Sequence, residues 1–225
     1  LSIKKTLFIN LESVVSTDCI LATNTSSLSV TSIASSLNQP DRCIGIHFFN
    51  PPRYMHLVEL IPTAATRSDI LDQLEGFLTT TLGKGVVHAK DTPNFIANRV
   101  GIFGMLATIY QAEQFGLSVD VVDDLTGKKL GRASSGTFRT ADVVGLDTMA
   151  HVIKTLQNGA KTDPFAGAFD TPAALTALIE KGNFGSKTKA GFFKKEGKTI
   201  LQFNAATGEY VAAGGKADKE VVDIL

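Results

Sequence analysis

Cysteine is scarce in this sequence, tryptophan is absent, and no apolar run is long. Only Cys19 and Cys43 occur among 225 residues, with no CxxC and no paired spacing. That argues against a disulfide framework and fits a reducing compartment, so a cytoplasmic protein is expected. No stretch approaches the roughly 18 apolar residues of a membrane span, and no charged-then-apolar leader opens the chain. Net charge is lacking too. With 22 basic and 22 acidic residues there is no field to gather nucleic acid or an anionic membrane, and a phosphate-bearing ligand would need a local site. Phosphate-cradling glycine turns are also missing. "GKG" at 83–85 is followed by Val-Val-His, and "GNFGSKT" at 182–188 lacks the Gly-Lys pair of a phosphate loop, so no complete dinucleotide cradle is encoded here.

What is present is enough for a substantial core in two structural units, at 44% hydrophobic and 20% charged. Ile3, Leu7, Leu11 and Val14 give the opening a helical period, as if the helix were cut from something longer. "CILATNTSS" reads as a strand ending in small polar residues, "SVTSIASSL" as a short helix, "RCIGIHFF" as a second strand and "HLVELI" as a third. "RSDILDQLEGFLTTTLG" has Ile70, Leu71, Leu74, Phe77 and Leu78 on one side of a helix stopped by Gly83, and "KGVVHAK" is a fourth strand. Strands separated by helices argue for a mostly parallel sheet. From Asp91 the character changes. "TPNFIANRVGIFGMLATIYQAEQFG" predicts a long helix with Pro93 near its first turn, and helices follow to about Ile179. The expected organisation is α/β followed by all-α: a first domain over 1–90, a helical domain over 91–195, and a tail or connector over 196–225. Within the last, Thr207-Gly208 suggests a turn between two short strands.

His47 ends the second strand, and Glu59 stands inside the third, flanked by Val58 and Leu60. A buried carboxylate there is costly without a partner. Two strands joined by "NPPRYM" can bring the pair side by side, with a hydrogen bond of about 2.6–3.2 Å. A carboxylate on one imidazole nitrogen sets the tautomer and leaves the other nitrogen free as a general base. The plainer reading of His47 is a core histidine bonded to backbone. Plainer readings also stand for Ser26 as a helix cap, Asn50 as a turn residue before Pro51, Asn98 as solvent-facing and Lys4 as a surface lysine.

"ATNTSSL", "GIHFFNPP", "LVELI", "KDTPNFIANRV", "DVVGLD" and "NFGSKTKAGFF", in this order, resemble the (S)-3-hydroxyacyl-CoA dehydrogenases of fatty-acid β-oxidation over nearly the whole chain. The resemblance implies the last part of a Rossmann-type NAD-binding domain, followed by a helical domain that completes the substrate site and dimerises. It casts His47 as catalytic base and Glu59 as its orienting carboxylate. Ser26 and Asn98 then bind the substrate's 3-oxygen, Asn50 lies beside the reacting centre, and Lys4, Asn24 and Ser26 border the nicotinamide end of NAD. The family's glycine-rich half would lie upstream, so the chain is expected to be a fragment. "GRASSGTFRTADVVGLD" departs from the P-x-G-P-F loop of compact members. It is more similar to multifunctional proteins with a fused enoyl-CoA hydratase, a module the tail would lead toward. Two other readings stay open: a non-catalytic dimerisation and acyl-CoA-binding module, and an NAD-dependent hydroxyacid dehydrogenase that uses no CoA ester.

Overall fold

The computed structural model describes residues 1–224, in two compact units, 1–100 and 101–224. In the first unit, α1 (Ser2–Val14) and α2 (Val30–Ala34) accompany a four-stranded sheet of β1 (Leu21–Thr23), β2 (Cys43–Phe48), β3 (Leu57–Pro62) and β4 (Gly85–His88), in the order β1-β2-β3-β4. β1 pairs with β2 and β3 with β4 in parallel, while β2 and β3 run antiparallel. The hairpin is the departure from an all-parallel sheet, and it is short enough to need no crossover helix.

Alternation along β2 and β3 explains their burial. Ile44, Val58 and Leu60 sit under α3 (Ser68–Gly76), packed with Ile70 and Leu78. Val30 and Ile61 form a separate cluster with Ala89 and Phe95. Gly45 permits the close approach of α2, since a Cβ there would stand 2.8 Å from Val30 Cγ2. Phe77, expected with the apolar side of α3, is 48% exposed. The helix loosens into a π turn over Phe77–Thr81, and it is Leu78, 1% exposed, that this stretch turns inward.

The long helix α4 spans Ala97–Gln114 and does not begin at Thr92. Asn94 and Phe95 adopt φ of 61° and 54°, left-handed values that no right-handed helix admits, so Pro93 lies in the preceding turn and not in the helix. The division between units falls inside α4, after Val100.

In the second unit, α4 continues into α5 (Val119–Thr126), α6 (Phe138–Val144), α7 (Leu146–Gly159) and α8 (Ala173–Glu180). Leu146, Met149, Ile153 and Leu156 recur at helical spacing along α7, each at most 1% exposed, and form the centre of the unit's core. The segment expected to be a tail from 196 proves partly structural. β5 (Phe193–Glu196), β6 (Thr199–Asn204) and β7 (Glu209–Ala212) make an antiparallel meander, turning at Gly208, and Phe203 is buried in the same core. β5 is Phe-Lys-Lys-Glu and shows no apolar run, whereas β6 and β7 are the two short strands expected around Thr207-Gly208. A four-residue α9 (Lys219–Val222) follows. No helix among the described residues is long and apolar enough to cross a membrane.

Asp142 on α6 accepts from the backbone N–H of Phe192 and Phe193, both at 2.8 Å. Gly191 makes this possible, because a Cβ at that position would lie on the carboxylate. Burial pushes the Asp142 carboxyl up to about 6; the two N–H donors pull against it, and the neighbouring Asp123 charge adds to the rise. An acid whose folded value exceeds its unfolded one holds its proton longer in the folded state. Its contribution therefore favours folding as pH falls through about 6 toward about 4, opposite to an ordinary carboxylate. Carboxyl NMR should find a titration midpoint for Asp142 near pH 6. A midpoint in the usual aspartate range would contradict this environment.

Candidate active site

β2 and β3 place His47 directly opposite Glu59 in the antiparallel register, so their side chains leave the same face of the sheet. His47 Nδ1 lies 2.7 Å from Glu59 Oε2. Glu59 is fully buried and His47 is 5% exposed, with Phe49 and Phe95 against the imidazole at ring-centroid distances of 4.4 and 5.7 Å. Among the described residues no hydrogen bond engages Nε2.

The other carboxylate oxygen does a second job. Glu59 Oε1 accepts from Ile96 N at 2.9 Å and Ala97 N at 2.8 Å, taking two donors that the start of α4 would otherwise leave unpaired. Burial is the largest influence on this carboxyl and pushes it up. The hydrogen bond with His47, those from Ala97 and Ile96, and the charge on His47 outweigh it, so the group stays below the ordinary glutamate range. It is an ionised acceptor aimed at three donors.

Around the pair, the remaining expected residues occupy one unit. Asn98, on the first turn of α4, donates from Nδ2 to the Ser26 carbonyl at 3.3 Å. Ser26 is exposed, and it does not cap α2. Ser29 does that, accepting from Ser32 N at 3.1 Å. Asn24 Oδ1 accepts from Phe48 N at 2.9 Å, joining the end of β1 to the end of β2 beside His47. Lys4 Nζ donates to Thr23 Oγ1 at 3.3 Å, which brings α1 to the carboxyl end of β1. Asn50 is exposed at the head of the loop that follows. Sequence reading missed two residues. Lys84 donates to the carbonyls of Pro52 and Met55 at 2.5 and 2.7 Å and so holds that loop. Asp91 reaches the start of α2; its place next to Pro93 gave no sign of a contact 60 residues away.

These residues cluster at the carboxyl end of β1, where α/β sheets bind ligands. They suit the nicotinamide end of a dinucleotide, while no residue present forms a glycine-rich turn for the pyrophosphate. No group of acidic, histidine or cysteine side chains among the described residues could hold a metal ion.

Residues 1–92 match the family model for the "3-hydroxyacyl-CoA dehydrogenase, NAD binding domain", and residues 95–195 match that for the "3-hydroxyacyl-CoA dehydrogenase, C-terminal domain". The chain belongs to the 3-hydroxyacyl-CoA dehydrogenase family. It is 44% identical over 212 residues to a protein of Bacillus subtilis named "Probable 3-hydroxyacyl-CoA dehydrogenase", a match that covers 93% of this chain and 27% of that protein. With the mitochondrial hydroxyacyl-coenzyme A dehydrogenase of Sus scrofa it shares 37% identity over 195 residues, covering 86% of this chain and 60% of the relative. The crystal structure of M. tuberculosis FadB2 superposes with a TM-score of 0.78 at 32% identity, covering 87% of this chain and 67% of that one. The chain thus spans about a quarter to three fifths of the length of these curated relatives.

Glu59→Ala leaves His47 and two backbone donors without their acceptor in a buried site. It should destabilise the protein by about 3–5 kcal/mol. Glu59→Gln keeps an oxygen for α4 and an amide for His47 and should cost less than the alanine variant. Urea unfolding of both variants checks the order, and equal losses would mean that the α4 and His47 bonds carry no stability.

Proposed function

We propose that the protein containing this chain oxidises (S)-3-hydroxyacyl-CoA to 3-ketoacyl-CoA with NAD, in fatty-acid β-oxidation. The observation that carries this reading is the buried His47–Glu59 pair, with Nε2 left without a hydrogen-bond partner among the described residues. NAD supplies the hydride acceptor. When hydride leaves C3, the 3-hydroxyl must lose its proton, and His47 Nε2 takes it. Glu59 on Nδ1 keeps the imidazole in the tautomer that can accept, and it stabilises the imidazolium that forms. Ser26 and Asn98 supply neutral donors to the 3-oxygen, and in the reverse reduction those donors meet developing negative charge. Asn50 lies beside the reacting centre, and Lys4 and Asn24 line the nicotinamide end.

The domain reading follows the family: a partial NAD-binding domain over 1–90, a helical dehydrogenase domain over 91–195, and a tail or connector over 196–225 that carries most of the β-meander. Family membership supports a homodimer through the helical domain, as do the exposed apolar side chains of the second unit, among them Tyr110, Phe115 and Val143 at 58, 72 and 72%. The small share of the B. subtilis relative that this chain covers is consistent with a fused module such as an enoyl-CoA hydratase, in a cytoplasmic protein.

In the full-length protein His47→Ala should lower turnover of acetoacetyl-CoA by roughly 10²–10⁴-fold. Turnover within twofold of the unsubstituted enzyme would remove His47 from the reaction, and equal use of free 3-hydroxy acids would remove the CoA ester from its specificity. Sedimentation of the same protein should give a dimer at micromolar concentration.

The 225-residue chain alone should bind NAD weakly. The missing pyrophosphate contacts are charge-assisted hydrogen bonds worth roughly 1.5–3 kcal/mol each. Calorimetric titration checks this, and micromolar affinity would mean that the nucleotide site is built from residues present here.

A further inference from the structure

The segment from Asp91 to Asn98 meets the turn that carries Ser26 at two separate points. At one end Asn98 Nδ2 donates to the Ser26 carbonyl. At the other, Asp91 takes hold of α2, which begins four residues after Ser26. Asp91 Oδ1 accepts from Val30 N at 3.0 Å, and Oδ2 accepts from Thr31 N at 2.7 Å and from Ser29 Oγ at 2.8 Å. Between these points Thr25 Oγ1 accepts from Leu28 N at 2.9 Å and Ser27 N at 3.4 Å, so the turn has internal bonds as well.

A helix of five residues does not hold its own position. Ser29 caps only the N–H of Ser32, and the N–H groups of Val30 and Thr31 at the start of α2 are met by Asp91, from a segment 60 residues away. What Asp91 adds is a link between segments. Glu59 binds the N–H groups of Ile96 and Ala97 on the same 91–98 segment. The two carboxylates thus tie one strap to His47 on one side and to the Ser26 turn on the other.

We propose that Asp91 is a positioning residue for the dehydrogenation: without touching substrate, it fixes Ser26 relative to His47 and Asn98 by anchoring the start of α2 to the 91–98 strap. The proposal rests on the reading of Ser26 as a donor to the substrate's 3-oxygen.

The test uses the full-length protein. Asp91→Asn keeps the shape and one acceptor oxygen, but it sets an amide against either Val30 N–H or the Ser29 and Thr31 donors. It should lower kcat for acetoacetyl-CoA by roughly 10–10²-fold, the scale of a small misplacement of a reacting group, with KM for NADH changed less than about twofold. Ser26→Ala should lose a comparable amount. The double variant should lose no more than the worse single one, because both act on one interaction. Amide exchange over residues 25–31 should quicken in Asp91→Asn. Ser29→Ala removes one of the three donors together with the cap on Ser32 N, and should move kcat and exchange in the same direction, which keeps the question answerable if the Asn variant folds poorly. Losses that multiply in the double variant would overturn the proposal, as would faster exchange with unchanged kcat. Absence of turnover in the unsubstituted protein would instead overturn the dehydrogenase reading.

Discussion

One fully buried carboxylate, that of Glu59, holds the first unit's chemistry and architecture together. Its two oxygens meet three donors from two places: the imidazole opposite it on β2 and the first turn of α4. Burying that charge works against folding, and hydrogen bonds to an ionised acceptor offset the penalty at roughly 1.5–3 kcal/mol each. All three donors belong to one acceptor, so the start of α4 and the orientation of His47 are fixed by the same carboxylate. Asn98, in the first turn of α4, inherits its position from the same carboxylate that orients the imidazole.

The same device recurs through the chain. Glu12 accepts from Asn38 N and Gln39 N, Asp91 from Val30 N and Thr31 N, Asp120 from Gly214 N and Gly215 N, Asp123 from Phe138 N and Arg139 N, and Asp142 from Phe192 N and Phe193 N. In each case a carboxylate reaches two consecutive N–H groups of another segment, at or just before the start of a helix or strand for all but Asp120, whose donors lie in the loop after β7. The environments then separate the acids. Burial pushes Asp120 upward, but Ser118, Gly214, Gly215 and Val121 all donate to it and bring it down to about 2. Asp142, with two backbone donors and the Asp123 charge close by, is left near 6. The count of donors, set against burial, decides which side of the ordinary value each acid falls on.

This device also explains what could be read from the residues alone. The His47–Glu59 pair was accessible because strand alternation and hairpin register are local rules: a twelve-residue separation across a short connection puts both side chains on one face. The helices of the second unit were accessible for the same reason, through the spacing of Leu146, Met149, Ile153 and Leu156. The start of α4 was not, since left-handed backbone at Asn94 and Phe95 carries no glycine to announce it, and Pro93 imitates a helix start. The roles of Asp91 and Lys84 were hidden because their partners are backbone atoms of distant segments, and backbone has no residue type to recognise. The meander was only partly legible: Thr207-Gly208 marks the turn between β6 and β7, while β5, with Lys194 and Lys195 among its four residues, shows no apolar run.

The placement of the 91–98 strap has a further consequence for how activity and stability are related in this chain. In many enzymes the reacting side chains sit on loops that a rigid scaffold merely tolerates. Here the groups read as reactive are themselves parts of the scaffold's fastening: His47 completes the coordination of Glu59, and Asn98 closes on the carbonyl of Ser26. The strap cannot leave its place without breaking bonds that belong to the site, and the site cannot relax without freeing the strap. The bonds that fix His47, Ser26 and Asn98 are thus the same bonds that hold α2 and the start of α4 in place, so in the proposed reading preorganisation needs no separate supporting layer.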